Sequence, residues 1–313
     1  MTAARVLVTG AGGFVGRAIV ARLAYTTEVV AASRRMIQGS PAARQYPIAD
    51  LDGTTDWTRS LSGCGAVIHL AARVHVMKET AQDPRAAFMR ANADGTRRLA
   101  QQAAQAGVRR FLLVSTIGAC GAQSVRGSPI GPDTPVAPHD PYTESKVAAE
   151  QALRAACAGS GMEWTIVRPP MVYGPGAPGN FEAMLRVLAR RIPLPLGTID
   201  NRRSLIAIDN LVDLIATAIS HPSASGRILT VSDGEDLSTP ALLERTARAM
   251  GLPGARLFPF PPSVLKTALQ VLGRGRTAAR LLGNLEVDSS ATQAALGWHP
   301  CIGVDEALRR AVS

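Results

Sequence analysis

The stretch that decides the fold of this chain reads Val6-Leu7-Val8-Thr9-Gly10-Ala11-Gly12-Gly13-Phe14-Val15-Gly16. A short run of β-branched and leucine residues stops at a cluster of glycines, and apolar residues at helical spacing follow at once. That order predicts a strand, a tight turn and a helix. Gly10, Gly13 and Gly16 let the backbone turn tightly and approach a pyrophosphate, toward which the first helical amides, at Phe14 and Val15, then point. A glycine turn alone is weak evidence, since many turns need glycine only for a positive φ.

Further strand-like runs alternate with helical stretches along the first half of the chain. Strands are predicted at 28–33, 66–70, 111–115, 164–168 and, later, 227–232, with helices near 86–106 and 142–158. Apolar strands that alternate with helices are typical of a parallel sheet covered on both faces. We therefore predict an α/β fold with a Rossmann-type doubly wound sheet, in which ligands bind beyond the carboxyl ends of the strands.

The texture of the sequence changes near residue 173, where short segments rich in proline and glycine begin. We predict a dinucleotide-binding domain over 1–172, to which 205–232 returns, and a smaller substrate-binding lobe built from 173–204 and 233–313. Within that lobe, the segment 256–283 mixes prolines, leucines and arginines. A helix of the lobe is the favoured interpretation of this segment, and contact with a membrane or a partner is the alternative.

The composition bounds the class of protein. At 313 residues, of which 46% are hydrophobic, the chain can hold a nucleotide-binding domain and a smaller lobe. No apolar run approaches the roughly 18 residues that a membrane span requires, so we expect no stable membrane insertion. The first strand begins within about five residues of the start, so we expect no signal peptide.

The cysteines and histidines indicate neither a metal nor a disulfide framework. The four cysteines are scattered without C-x-x-C spacing, and the histidines His69, His75, His139, His221 and His299 show no metal-ligand spacing. We expect a reduced, cytoplasmic protein without a metal. His69 ends a buried strand and Cys120 lies near the predicted pocket, and for both a packing or hydrogen-bonding role is favoured over catalysis.

The formal net charge of +10 suggests an anionic partner. Nucleic acid is not expected, because the basic residues form no long block and aromatic residues make up only 4% of the chain. An anionic small substrate, or loose attraction to an anionic membrane surface, explains the charge at least as well. Most of the arginines are interpreted as ordinary surface residues.

The end of the second predicted strand bears on the choice of cofactor. In NAD-binding sheets an acidic residue about 20 positions beyond the glycines holds the ribose hydroxyls. Here that place reads Ser33-Arg34-Arg35. A serine and two guanidinium groups suit a 2′-phosphate, which favours NADP over NAD, unless the arginines are plain surface charge. Asp50 follows a short extended segment and is a candidate for the adenine amino group or for a turn cap.

A second constellation is Tyr142-Thr143-Glu144-Ser145-Lys146. Residues four apart on a helix share one face, so Lys146 can hold a ribose while its charge lowers the phenol pKa of Tyr142. Tyr142 would then exchange a proton with a substrate hydroxyl or carbonyl. The pair follows a strand that ends in Ser115-Thr116, whose hydroxyl could bond the same substrate oxygen.

Five segments occur in an order and spacing that resemble the extended short-chain dehydrogenase/reductase superfamily. They are Thr9-Gly10-Ala11-Gly12-Gly13-Phe14-Val15-Gly16, His69-Leu70-Ala71-Ala72, Val114-Ser115-Thr116, Tyr142-x-x-x-Lys146 and Arg168-Pro169-Pro170-Met171-Val172-Tyr173-Gly174. The resemblance covers nearly the whole chain. It is closest to the NAD(P)-dependent nucleotide-sugar epimerase/dehydratase branch, which includes UDP-glucose/galactose 4-epimerases and UDP-4-keto-6-deoxy-N-acetylhexosamine reductases.

The resemblance implies roles for matching positions. Tyr142 is the implied acid/base and Lys146 its partner, with Thr116 as the catalytic hydroxyl and Ser115 just before it. Asn180 and Arg203 are implied at the diphosphate of a UDP-sugar, and Leu194 and Pro195 at the uracil. Cofactor contacts are implied for Gly10, Gly13, Phe14, Val15, Gly16, Asp50, Leu51, Leu70, Ala71, Ala72, Asn92, Tyr142 and Lys146.

Three departures from the family pattern bear on the substrate. The acidic residue after the second strand is missing, and Ala119-Cys120-Gly121 replaces an aromatic segment, which predicts a smaller wall of the sugar pocket. A second diphosphate-binding arginine cannot be placed, because the expected neighbourhood reads Gly283-Asn284-Leu285-Glu286-Val287-Asp288.

Together the motifs and the resemblance predict an enzyme that moves a hydride between NADP or NAD and C4 of a UDP-type nucleotide sugar. It would act as a 4-epimerase or as a 4-keto reductase, and the arginines after the second strand favour NADP and reduction. The alternatives are an NADPH-dependent reductase of a small ketone or aldehyde and a non-catalytic NAD(P)-binding regulator. The family's pairing through helices equivalent to 86–106 and 142–158 implies a homodimer.

Overall fold

The computed structural model of the chain describes residues 5–74 and 82–313. Its strands in chain order are β1 (Arg5–Thr9), β2 (Glu28–Ser33), β3 (Arg44–Pro47), β4 (Ala66–His69), β5 (Arg110–Val114), β6 (Glu163–Arg168), β7 (Met171–Tyr173), β8 (Leu205–Ala207) and β9 (Arg227–Thr230). Seven of them form one parallel sheet in the order β3-β2-β1-β4-β5-β6-β9. The chain reverses its direction of growth between β1 and β4, so a ligand crevice lies at the carboxyl ends of these two strands.

Helices cover both faces of the sheet. They are α1 (Phe14–Leu23), α2 (Thr58–Leu61), α3 (Pro84–Phe88), α4 (Gly95–Gln105), α5 (Pro141–Cys157), α6 (Asn180–Ala189), α7 (Ile208–Ala218), α8 (Thr239–Ala249), α9 (Pro262–Val271), α10 (Gly275–Leu282), α11 (Ser290–Leu296) and α12 (Val304–Val312). Alternate residues of β1 face opposite ways, so Val8 packs with α1 and α7, whereas Leu7 packs with α4 and α5. This arrangement confirms the predicted doubly wound α/β fold.

The predicted elements of the first half are present, and their ends differ from the prediction by one or two residues. The helix predicted near 86–106 runs from Pro84 to Gln105 but contains a π-helical segment, Met89–Asp94, between α3 and α4. Such segments often occur at functional sites because they re-aim one side chain. Here the buried Asn92 lies within it.

The glycines after β1 are required mainly by contacts within the protein. Gly10 has a φ of 67°, and a Cβ there would lie 2.7 Å from the backbone nitrogen of Ala71. A Cβ on Gly16 would collide with the carbonyl oxygen of Gly10. A Cβ on Gly13 would meet the Gly10 carbonyl oxygen at 3.2 Å, a tight contact, and no other atom of the described residues within 4 Å. These contacts account for the tight turn at Gly10 and Gly16, and the approach of a pyrophosphate to the three glycines stays a prediction.

The second half of the chain adds a two-stranded sheet and a group of helices. β7 pairs with β8, β9 then joins the edge of the main sheet, and α7 packs against α1. A separate cluster of buried side chains joins α8 and α12 to the small sheet. The predicted division into two domains stays a prediction. Within the described residues, no helix is both long and apolar enough to cross a membrane.

Candidate active site

Helix α5 carries the predicted tyrosine and lysine. A capping box fixes its N-terminus. The Asp140 carboxylate accepts a hydrogen bond from the Thr143 amide, and the Thr143 hydroxyl accepts one from the Asp140 amide. Tyr142 therefore lies in the first helical turn and Lys146 one turn later on the same face. The helix packs on the π-helical segment and on the short 3-10 helix Ile117–Cys120 that follows β5.

Lys146 is almost completely buried, and its ammonium donates to the carbonyl oxygen of Val114 at 2.7 Å. Burial lowers the pKa of Lys146 to about 8, against an opposing effect of the Glu150 carboxylate. The side chain thus reaches the end of β5, where the main chain turns into Ser115 and Thr116. A cation held at the carboxyl edge of the sheet can bind a hydroxyl or stabilise a nearby anion.

Tyr142 is partly buried, and its ring meets that of Phe88 edge-on at a centroid distance of 6.1 Å. Burial, and then the neighbouring Asp140 carboxylate, raise the pKa of Tyr142 to about 12. The net direction is therefore opposite to the expected lowering of this pKa by the charge of Lys146. The physical reason is that burial outweighs charge here, since the ammonium is directed at the Val114 carbonyl.

The two predicted hydroxyls after β5 lie in different environments. Thr116 begins the 3-10 helix, and its Oγ1 accepts from the Gly118 amide at 3.1 Å. A Cβ built on Gly118 would lie 2.9 Å from Cγ2 of Thr143 and 3.4 Å from Oγ1 of Thr116, so Thr116 lies beside the first turn of α5. Ser115, by contrast, is buried and donates to Glu150 at 2.5 Å. We correct Ser115 from a catalytic candidate to a structural residue.

The partner of Ser115 belongs to a buried ion pair that the sequence analysis missed. Glu150 receives two hydrogen bonds from Arg168, at 2.6 and 3.0 Å, and both side chains are at most 3% exposed. The same guanidinium donates to the sulfur of Cys120 at 3.2 Å. The spacing of Lys146 and Glu150, one helical turn apart, and an arginine at the end of a buried strand were the available signals.

A second buried network lies on the other side of α5 and begins at Thr9. The Thr9 hydroxyl accepts from the Ala71 amide and bonds Nδ1 of His69 at 2.6 Å, while Nε2 of His69 lies 3.0 Å from the Thr96 hydroxyl. Thr96 in turn donates to the Asn92 carbonyl oxygen, so its oxygen accepts from His69. This chain assigns the imidazole proton to Nε2. Burial, and then the charge of Lys146, lower the pKa of His69 to about 3, so the ring is neutral and structural.

Asn92 extends this network to the catalytic helix. Its Oδ1 accepts from the Arg73 amide at 2.7 Å, and its Nδ2 donates to the Arg73 carbonyl at 3.0 Å and to the Ser145 hydroxyl at 2.9 Å. One side chain thus joins the loop after β4 to the residue that precedes Lys146. That loop contains Leu70, Ala71 and Ala72, which are all partly exposed at the sheet edge. His75 lies outside the described residues.

The turn after β1 fits an anionic group. Helix α1 begins after Gly13, and no side chain caps its first amides. Phe14 packs its ring into the core, which leaves its backbone and that of Val15 at the helix N-terminus. Unfilled amides and an absent Cβ at Gly13 form a cradle that the helix dipole makes favourable for a phosphate.

The end of β2 adjoins this turn. The Cβ position of Gly12 lies 3.6 Å from that of Ser33, whose hydroxyl donates to the Arg35 carbonyl at 2.5 Å. Arg34 and Arg35 are exposed, and across residues 5–74 and 82–313 neither guanidinium forms an ion pair or a hydrogen bond. Two solvated cations therefore stand where the acidic residue of an NAD site would be expected.

The predicted adenine segment has one clear placement. Leu51 packs against Gly95, where a Cβ would lie 2.8 Å from Cγ of Leu51, so the segment is held against the start of α4. Asp50 is exposed, and its carbonyl accepts from the Thr55 hydroxyl. Among the described residues, no contact joins its carboxylate to the glycine turn or to a helix N-terminus.

The lobe residues implied at the substrate lie on separate segments. Asn180 is exposed at the start of α6. Leu194 pairs with Leu257 through backbone hydrogen bonds to Arg256 and Phe258, and Pro195 beside it is half-buried. These contacts fix the strand-like segment, but no described contact joins it to Asn180.

Arg203 is the lobe residue with the most informative environment. It is half-buried and donates to the Gly283 carbonyl at 3.0 Å, and no carboxylate among the described residues pairs with it. Burial, and then the charge of Arg280, lower the pKa of Arg203 to about 10. Arg280 lies on α10, just before the neighbourhood in which the sequence analysis sought a second arginine. Two unneutralised cations at one place are suited to a diphosphate.

Cys120 packs in an apolar cluster with Ile117, Ile130, Leu285 and Val287. Burial raises the pKa of its thiol, which agrees with a packing role rather than a nucleophilic one. Among the described residues, no group of three or more His, Cys, Asp or Glu side chains converges in a way that could hold a metal ion.

Comparison with known proteins agrees with this geometry. The sequence profile described as "NAD dependent epimerase/dehydratase family" matches residues 6–232. A UDP-glucose 4-epimerase of Vibrio cholerae is 37% identical over 307 residues, which cover 97% of this chain and 93% of that protein. A UDP-glucose 4-epimerase of Mycolicibacterium smegmatis is 29% identical over 98% of this chain and 97% of its own length.

Solved structures share the fold. MoeE5 in complex with UDP-glucuronic acid and NAD superposes with a TM-score of 0.78 at 24% identity, over 98% of this chain and 97% of that one. UDP-glucose 4-epimerase from Thermotoga maritima, solved with UDP-glucose, gives 0.76 at 21% identity, over 98% and 97%. The profile match spans most of the chain and includes the glycine turn and the Tyr142–Lys146 pair. This chain belongs to the NAD dependent epimerase/dehydratase family, a branch of the extended short-chain dehydrogenase/reductases that acts on nucleotide sugars.

Proposed function

We propose that the chain is a UDP-sugar 4-epimerase that uses a nicotinamide dinucleotide. The observation that carries this proposal is that Arg280 lies close enough to lower the pKa of Arg203, and that neither arginine pairs with a carboxylate among the described residues, in a chain whose α5 presents Tyr142 and Lys146 at the carboxyl edge of the sheet. A reductase of a small ketone would need Tyr142 and Lys146, but it would not need two arginines that bind a diphosphate. The 37% identity to a UDP-glucose 4-epimerase along nearly the whole chain supports the same substrate class.

Tyr142 is the proposed acid/base. It takes the proton of the sugar 4-hydroxyl when that carbon is oxidised and returns a proton when it is reduced. Lys146 favours the phenolate through its charge, and Thr116 orients the same oxygen with its hydroxyl. Because burial raises the pKa of Tyr142 to about 12, the enzyme depends on Lys146 remaining protonated.

The dinucleotide has a proposed set of holding residues. The amides of Phe14 and Val15 beside Gly13 bind the pyrophosphate, and Leu51 with Asp50 borders the adenine. The loop below the nicotinamide consists of Leu70, Ala71 and Ala72. These segments are held in place by contacts of Gly10, Gly16 and Asn92. When bound, the nicotinamide supplies the acceptor and donor of hydride.

The substrate lies between the two regions in this proposal. Arg203 and Arg280 hold the diphosphate with Asn180, and Leu194 and Pro195 border the uracil. An epimerase must hold the nucleotide while the sugar presents both faces of C4. Holding the substrate through the diphosphate leaves the sugar free to do so.

A 4-keto reductase that prefers NADP is the second candidate, and Arg34 and Arg35 favour it. Their guanidinium groups are exposed and form no ion pair within the described parts of the chain, so a 2′-phosphate could bind them together with Ser33. An epimerase regenerates its cofactor in each cycle, whereas a reductase consumes NADPH. Replacement of both arginines by alanine should weaken NADP binding and spare NAD.

The test combines binding with turnover. Thermal unfolding is measured with NAD, NADP, UDP and dTDP, since a ligand at 100 times its Kd stabilises the folded state by about 2.7 kcal/mol. We expect UDP and a dinucleotide to register, and purified enzyme to interconvert UDP-glucose and UDP-galactose without loss of NADPH absorbance. Tyr142→Phe should lower kcat by about a hundredfold to ten-thousandfold and leave UDP stabilisation unchanged.

Three outcomes would contradict the proposal or redirect it. If UDP does not raise the unfolding temperature and the enzyme reduces small ketones, the small-carbonyl alternative is correct. Stoichiometric loss of NADPH with a 4-keto sugar nucleotide would establish the reductase. Full activity of Tyr142→Phe would remove the acid/base role.

We also propose a homodimer that forms through α4 and α5, on the basis of the family resemblance alone. Size-exclusion chromatography with light scattering should give twice the mass of one 32.8 kDa chain. A mass equal to one chain would contradict this.

A further inference from the structure

The helical hairpin formed by α9 and α10 differs from the rest of the surface. Helix α9 contains no buried residue, although it is ten residues long and has leucine, valine or alanine at five of them. Leu265 alone of this helix belongs to a core cluster, through the side that faces the lobe. The hairpin is therefore attached along one edge and leaves most of α9 in contact with solvent.

The exposed side of α9 is apolar. Val264, Ala268 and Val271 recur at helical spacing on one face, and Leu272 continues that face beyond the helix end. Val264, Val271 and Leu272 are 52%, 82% and 69% exposed. Phe258, 42% exposed, precedes the same helix. Large apolar side chains in a contiguous exposed group mark an interaction surface, whereas single ones do not.

The chain segment that carries this face has charge of one sign. From Arg245 to Leu285 the sequence contains no aspartate or glutamate. Lys266 and Arg274 are both exposed, and neither is joined to a carboxylate by an ion pair among the described residues. Lys266 lies on the side of α9 opposite the stripe and Arg274 just beyond the helix end. An apolar stripe on a helix with cations on its opposite side and at its end fits a surface that is both anionic and apolar just below its charges.

We propose that α9 and its flanks dock this protein on an anionic lipid bilayer. The occupant follows from charge complementarity. A second copy of the chain, itself at a formal +10, would bring like charges together if it used the same face. Nucleic acid would satisfy the cations but not the valines and leucines, since stacking on bases needs aromatic side chains. A bilayer with acidic headgroups accepts both kinds of side chain.

Docking is peripheral, with α9 lying in the plane of the headgroups. Val264, Val271 and Leu272 enter the headgroup–acyl boundary, and Lys266 and Arg274 remain at the phosphates. Arg280 is not part of this surface, because its charge acts on Arg203 within the lobe. The proposal does not depend on the proposed reaction.

The experiment is co-sedimentation of the full chain, without nucleotide, with phosphatidylcholine vesicles that do or do not contain phosphatidylglycerol. Binding should be about tenfold stronger to the anionic vesicles and should fall as salt is raised. Val271→Ser/Leu272→Ser should weaken binding about fivefold or more through lost apolar burial. Lys266→Gln/Arg274→Gln should do so through lost charge, again by about fivefold or more.

Matched controls separate the surface from general effects. Tyr25→Ser removes an apolar side chain that is 88% exposed at the end of α1, and Arg59→Gln/Arg109→Gln removes two exposed cations elsewhere. Both controls should bind like the parent, and all variants should unfold at the parent's temperature. Equal binding to neutral vesicles, no binding to either, or patch variants that bind like the parent would overturn the proposal. So would a loss of oligomer mass in the Val271→Ser/Leu272→Ser variant, which would identify the occupant as a second copy.

Discussion

Helix α5 is held by two buried polar networks, and they differ in charge. On one side the neutral Asn92 binds Ser145 and the loop after β4, and that network continues to His69. On the other side Glu150 pairs with Arg168. Lys146 lies between Ser145 and Glu150 in the sequence. The comparison teaches that one helix can be oriented by neutral hydrogen bonds and tuned by a charge, with separate energetic consequences for each.

The charged network should give the largest loss of stability when it is broken. Arg168→Met leaves the Glu150 carboxylate buried without its partner, which should cost about 3–5 kcal/mol. Denaturant unfolding followed by circular dichroism measures this difference. The surface pair Arg245–Glu235 is the matched control, since Arg245→Met should cost at most about 1 kcal/mol.

A double variant completes that test. Glu150→Leu/Arg168→Met removes both buried charges and should recover most of the lost stability. Should Arg168→Met prove as mild as Arg245→Met, the pair would not be the anchor of α5.

The neutral network should make the stability of the protein depend on pH in acid. The pKa of His69 is 6.5 when exposed and about 3 when folded. Between these values the unfolded chain binds a proton that the native protein does not, so the free energy of unfolding falls as the pH drops from 6.5 toward 3. Above pH 6.5 His69 contributes no slope. The shift corresponds to at most about 5 kcal/mol, and after relaxation of the buried site we expect on the order of 2–3 kcal/mol.

The measurement is denaturant unfolding at a series of pH values for the parent and His69→Gln. The variant should lose much of the acid-dependent slope, whereas replacement of the exposed His299 by Gln should not change it. Parallel curves for the parent and His69→Gln would show that His69 is not the group that titrates.

The same contrast explains what the sequence could predict. Strand–turn–helix order, the sheet and the positions of Tyr142, Lys146 and Thr116 follow from periodicity and spacing, which are local properties of the chain. The tight turn at Gly10 and Gly16 was predicted as well, but the contact that Gly10 makes with a distant segment was not. The clash of a Gly10 Cβ with Ala71 joins residues 61 positions apart, and no local pattern contains it.

The buried pair and the second arginine were missed for a related reason. Glu150 and Arg168 look like surface charges in the sequence, because charged residues are rarely buried. Only the tertiary fold brings them together with Ser115, which the sequence had suggested as a catalytic candidate. Arg280 likewise depends on how α10 packs on Arg203. The pKa of Tyr142 is raised on balance, because burial and the Asp140 carboxylate, which the helical spacing alone does not reveal, raise it.

Within the neutral network, the link to α5 should be weak. Ser145→Ala removes one hydrogen bond from Asn92 and one to the Tyr142 carbonyl, while Asn92 keeps both bonds to Arg73. We expect a loss of about 1 kcal/mol in the free energy of unfolding. Ser160→Ala also removes two bonds, one to the Cys157 carbonyl and one from the Met162 amide, but at an exposed position, and should cost less. Equal losses would mean that Asn92 does not hold α5.

The smallest expected effect is a shift in the pH dependence of activity, and it rests on the proposed function. Since Lys146 has a pKa of about 8 and must be protonated, activity should fall as the pH rises through about 8. Glu150 opposes the effect of burial, so Glu150→Gln should move this fall to lower pH.

Ser145→Ala is the control for that shift, because it perturbs α5 beside the same lysine without changing any charge. Its fall in activity should occur at the pH of the parent even if its kcat is lower. A structural role for Glu150 would lower activity at every pH and leave the midpoint in place, whereas an electrostatic one moves the midpoint. A midpoint that moves to higher pH in Glu150→Gln, or that moves equally in Ser145→Ala, would show that the charge of Glu150 does not set the pKa of Lys146.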